Sequence, residues 1–229
     1  QGNPVRRVRS MLTVANALAI LAFWESIAVD TNDPWKAVTY TMFQTIAAVA
    51  LTAGFRIAEL CPGAKFNNTR YWTLATLCLF LDIDPDNAKL SMRSMFVMPP
   101  QRKTTLSSKS ANEAARRGFL YEDWHRSAEN GTAPLCAAYQ IRRLLARIQT
   151  AAASCTSLFK GQTLTQVAGS IPAFFHPPDP SAGSLKLEPM DSATMRGAMK
   201  TATEQVLQPE LEKKRKFGCS CFRRTCNWW

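Results

Sequence analysis

The stretch ALTAGFRIAEL, residues 50–60, ends an apolar run with Arg56 and Glu59, set three residues apart just behind Gly54. That spacing is about one helical turn, so the carboxylate can hold the guanidinium in place. Taken alone, such a pair is an ordinary ion pair on a helix surface. Two more basic elements stand out, Lys103 in QRKTT and Arg223–Arg224 near the end, and each singly reads as a surface charge. Arginine is the side chain best suited to phosphate, because its planar, permanently charged fork binds it bidentately. Other chemistries find little to use. His125 and His176 have no cysteine or acid at metal-ligand spacing. A zinc site from Cys219, Cys221 and Cys226 would need a fourth ligand and a more regular spacing. No Gly-rich phosphate loop, GxSxG elbow or HExxH occurs, so NTPase, serine hydrolase and metal hydrolase readings have no support.

The elements that must position these residues are mostly helical. Residues 10–29 read as a helix, and DTNDP (30–34) supplies breakers and caps before a second helix that runs to Leu60. Pro62 and Gly63 stop it. TLCLFLDID (76–84) reads as a buried strand, KLSMRSMFVM (89–98) as the next, and RGFLYEDW (117–124) as a third. Pro134 opens an amphipathic helix with Ile141, Leu144, Leu145 and Ile148 on one face. Arg142, Arg143 and Arg147 crowd the opposite, solvated face. Residues 160–189, rich in Pro, Gly and Ser, read as an internal loop, and a last helix spans Asp191 to Leu207. The expectation is an α+β fold, mostly helical with a small antiparallel sheet, in one domain over residues 1–229.

Composition agrees with a folded, basic protein. A 46% hydrophobic content over 229 residues can bury a sizeable core. The surplus of 28 Lys+Arg over 17 Asp+Glu, a net charge of +11, favours polyanionic partners. Seven irregularly spaced cysteines point to a reducing compartment rather than a disulfide framework. Residues 37–55 are free of charge and long enough to cross a bilayer, yet they hold four threonines, a tyrosine and a glutamine. A buried core helix is the better reading, and no membrane partner is expected.

In order, several segments resemble boxes of the tyrosine recombinases, the phage-integrase family. LTAGFRIAEL resembles the TGLRxxEL box, and LFLDIDPDNAKLSMRSMFVMPPQRKTT follows as a strand, an Asp-x-Asp turn, a second strand and a Lys-Thr pair. APLCAAYQIRRLLARI is similar to the PLCPxxALxxYL helix, SLFKGQTLT to the LF…G…LT segment, and GCSCFRRTC to the HSxRRT box. The resemblance covers about residues 40–226. It implies cleavage of a DNA phosphodiester by a tyrosine hydroxyl, conserved as a 3′-phosphotyrosyl link, with no metal or nucleotide cofactor. It further implies Arg56 and Arg223 as phosphate clamps, Glu59 as the brace of Arg56, and Lys103 as general acid to the leaving 5′-oxygen. Arg102, Lys109, Lys214, Arg215 and Arg224 would contact backbone phosphates of double-stranded DNA, on which the full-length protein would self-associate.

Two positions depart from the pattern. Ser220 stands where the family has histidine; its hydroxyl can donate a hydrogen bond but cannot carry a proton as imidazole does. The family's nucleophilic tyrosine lies beyond the HxxR box, whereas Tyr40, Tyr71, Tyr121 and Tyr139 all precede it. The expectation is a catalytic domain ending before its nucleophile, either a fragment or a decayed or domesticated copy. A non-catalytic DNA-binding protein that keeps the fold is the alternative. KKRK (213–216) is a weak nuclear signal or simply a phosphate contact, so the compartment stays open.

Overall fold

The computed structural model describes residues 11–81, 94–97, 119–122, 133–154, 161–178, 187–208 and 217–225. These are mostly helical. The first helix, α1 (Val14–Asp30), starts where the Thr13 side chain accepts a hydrogen bond from the Asn16 N–H at 3.1 Å. Ala17, Ile20, Leu21, Trp24 and Ala28 form its buried stripe.

At the centre lies α2 (Pro34–Ala53), capped by the Asp33 carboxylate on the Trp35 N–H, with Pro34 in its first turn. Every residue from Thr41 to Leu51 is buried, so this helix is wrapped on all sides by protein. That explains how a charge-free stretch comes to hold four threonines. Thr39, Thr41, Thr45 and Thr52 each donate to the carbonyl one turn back, at 2.8–2.9 Å, which satisfies the hydroxyls without solvent. No helix among the described residues is long and apolar enough to cross a membrane.

The central helix does not run on to Leu60. Gly54 adopts the left-handed conformation (φ 65°) and its N–H closes on the Ala50 carbonyl at 3.1 Å, ending the helix there. Phe55 then plunges into the core, and a separate single turn, α3 (Ile57–Leu60), follows. Apolar periodicity carried across the glycine cannot reveal this, because the break is made by backbone conformation.

A second correction falls at residues 76–84. Leu74–Leu81 is a helix, α4, not a strand. Its start is fixed by Thr73 and Thr76, each of whose hydroxyls accepts from the other's N–H. A short, wholly apolar run cannot be assigned by alternation, and its leucines and alanine favour helix over pleat. Residues 82–84 lie outside the described residues. Among the described residues one antiparallel ladder forms, in which β1 (Ser94–Val97) meets β2 (Phe119–Glu122) with Ser94 opposite Glu122 and Val97 opposite Phe119. Both segments fall inside the second and third stretches expected to be strands.

After a short 3₁₀ turn at Ala133–Leu135 comes α5 (Ala137–Ala153), which buries Ile141, Leu144, Leu145 and Ile148 against α2 and α4. The described part of the segment expected as an internal loop is largely irregular and also contributes to the core. It carries a single helical turn, α6 (Leu164–Val167), and buries Ile171, Phe174 and Phe175. The bridge Thr73↔Pro172 ties it to the residue before α4, and Phe175↔Pro189 joins two parts of the segment itself. Two adjacent phenylalanines anchor this irregular stretch in the core. Further helices among the described residues are α7 (Ser192–Val206), capped by Asp191, and α8 (Ser220–Thr225), which packs on α2.

Candidate functional site

Arg56 is extended (φ −77°, ψ 143°) and occupies the cap position before α3. Glu59, in the first turn, reaches back to it twice. One carboxylate oxygen accepts from the Arg56 backbone N–H at 2.8 Å, and the other takes the guanidinium at 3.3 Å. The Arg56 side chain remains 54% exposed and that of Glu59 only 11%. The carboxylate is therefore sunk beneath the guanidinium as a brace, and the guanidinium is left facing outward. This is a cap interaction, not the side-by-side pair on a continuous helix expected from the spacing.

The turn bearing Arg56 and the helix bearing Arg223 converge, although the sequence sets them far apart. α2 leads into the Arg56 turn and also packs against α8. Both regions meet the start of α7. Pro62 pairs with Asp191, and the Gly63 N–H donates to the Met190 carbonyl at 3.0 Å. Gly63 has φ 57°, and a Cβ there would lie 2.9 Å from the Cβ of Asp191, so only glycine permits the approach. From the other side, the Cys219 thiol donates to the Met195 carbonyl at 3.6 Å. Burial pushes the Cys61 thiol far above its usual range, and the nearby Cys219 and Asp191 push in the same direction. Asp191 is itself held below the ordinary carboxylate range, chiefly by the hydrogen bond from the Thr194 N–H.

Ser220 opens α8, where Cys221 and Phe222 are fully buried. Arg223 and Arg224 lie on this helix. Arg102, Lys103, Lys109, Lys214 and Arg215 lie outside the described residues. Of the expected catalytic set, then, the Arg56–Glu59 turn and the Ser220–Arg223 helix are brought into one neighbourhood.

A polar network that the sequence did not reveal joins α1, α2 and α5. Arg143 and Arg147 do not form a solvated face. Both reach Glu25 on α1, Arg147 at 3.1 Å, and Arg143 in a close ion pair. Gln44, almost fully buried on α2, donates to Glu25 at 3.0 Å and accepts from Arg143 at 3.3 Å. Thr41 accepts from Arg147, the Gln140 side chain accepts from Arg143, and Arg143 lies 5.4 Å from the Tyr139 ring centre. Burial alone would raise the Glu25 carboxyl; hydrogen bonds from Arg143 and Gln44, with the charges of both arginines, outweigh it and hold the group below its usual range. The missed signal was Glu25, an acid set among the apolar residues of α1.

Among the described residues no group of three His, Cys, Asp or Glu side chains gathers as a metal site. No protein-family model matches the chain, and comparison with curated proteins and with solved structures finds no significant match.

Proposed function

We propose that this chain binds the phosphate backbone of double-stranded DNA with a paired-arginine clamp, Arg56 and Arg223, of the tyrosine-recombinase type. The observation that carries the reading is the convergence of the Arg56 turn and the Ser220–Thr225 helix on the start of α7. The outward guanidinium of Arg56 on its carboxylate brace supplies one fork in a fixed position. A net charge of +11 supplies the long-range attraction. Two guanidinia meeting the non-bridging oxygens would stabilise charge that grows in a pentacovalent transition state. On this reading Lys103 serves as general acid, while Arg102, Lys109, Lys214, Arg215 and Arg224 lie along the backbone as further phosphate contacts.

DNA recombination by strand cleavage needs a tyrosine placed after the HxxR-like box, and the four tyrosines of this sequence precede it. Ser220 in the histidine position favours a second reading, in which the clamp binds DNA without cutting it. A nicked duplex incubated with the protein separates the two. A protein–DNA adduct that survives denaturation assigns strand cleavage, and retarded DNA without an adduct assigns binding alone. Orthovanadate probes the clamp itself. Its binding weakens in an Arg56→Ala, Arg223→Ala double variant, and equal binding would remove the clamp assignment.

A further inference from the structure

Two cysteines far apart in sequence lie near the start of the same helix. Cys61 ends α3 and precedes Pro62, which pairs with Asp191 at the start of α7. Cys219 directs its thiol at Met195, one turn further along α7. Cys61 is 2% exposed and Cys219 7%, and both are thiols in this structure. The neighbouring Cys221 is engaged differently, its sulfur accepting the Gly218 N–H at 3.3 Å. We propose that Cys61 and Cys219 are a thiol–disulfide modification site, whose closure ties the turn carrying Arg56 to the helix carrying Arg223.

The oxidant is a low-molecular-weight disulfide. Deprotonated Cys219 attacks one of its sulfurs, forming a mixed disulfide and expelling one thiolate. Deprotonated Cys61 then attacks the Cys219 sulfur, expelling the second thiolate and closing the protein disulfide. Two protein thiols are oxidised, one small disulfide is reduced, and the two protons pass to the two released thiolates. Burial makes entry the slow event, since a thiol shielded from solvent reacts only when the structure opens locally. Cys219 is the more exposed of the two thiols, 7% against 2% for Cys61, so it is the one uncovered first. Because burial disfavours the Cys61 thiolate, the closing step accelerates as pH rises.

The effect of the tether on DNA binding rests on the clamp reading above; the disulfide itself does not. The test uses the full chain treated with oxidised glutathione, alkylated and digested with trypsin without reduction. The sequence places Cys61 in IAELCPGAK and Cys219 in FGCSCFR. The expected result is these two peptides linked, with fragmentation locating the bond at Cys219, and with linkage retained in Cys221→Ser and lost in Cys219→Ser. Recovery of Cys61 alkylated, or a bond located at Cys221, overturns the proposal. Either failure leaves the clamp reading intact, because that is read from orthovanadate and DNA binding, which do not require the disulfide.

Discussion

Glu59 stabilises the Arg56 turn through a backbone N–H as well as a guanidinium, so its removal has two separable effects. Glu59→Ala leaves that N–H without its cap and should lower unfolding free energy by about 1 kcal/mol in urea titration. Glu59→Gln, which can still accept from the N–H, should recover most of the stability. Glu25 makes the opposite case, a carboxylate whose charge matters. Glu25→Gln strips the counter-charge from Arg143 and Arg147 and should cost about 1–3 kcal/mol. The sign with pH follows from the lowered Glu25 value. Its contribution is present above the ordinary carboxylate range and is lost as pH falls through the lower, folded value. Acid titration of stability should therefore be steeper in the wild type than in Glu25→Gln, and parallel curves would show that the network carries no such linkage.

At the scale of elements, two glycines decide where the site sits. Gly54 turns the chain out of α2, and Gly63 lets the following loop lie on the start of α7. Gly54→Ala should cost about 1 kcal/mol from its left-handed backbone alone. Gly63→Ala meets the same strain plus a clash with Asp191, so thermal denaturation should place it below Gly54→Ala. Helices were legible where breakers, caps and periodicity agreed, as at Asp33 and Asp191. Residues 76–84 read as a strand although Leu74–Leu81 is helical, because a fully apolar run has no period to read. The Arg56–Glu59 pair was visible as spacing, yet its role as a cap depends on a helix break that only backbone geometry reveals. Arg143 and Arg147 were misread because their partner lies on another helix, and one sequence carries no signal for that contact.

For the whole molecule, the core is organised around one buried helix whose flanks are covered by α1, α5 and α8. Such an arrangement fixes the Arg56 turn and the Arg223 helix to a common frame, and the proposed clamp depends on that rigidity. On the proposed reading, the surplus of positive charge would draw DNA from a distance, and the two guanidinia would set where a phosphate rests. The most direct measurement is duplex DNA affinity across a salt series, by fluorescence anisotropy, for the wild type, Arg56→Ala, Arg223→Ala and the double variant. The account predicts weaker binding in each single variant, with the slope of log affinity against log salt reduced by about one for each arginine removed. Wild-type affinity and slope in the double variant would contradict it.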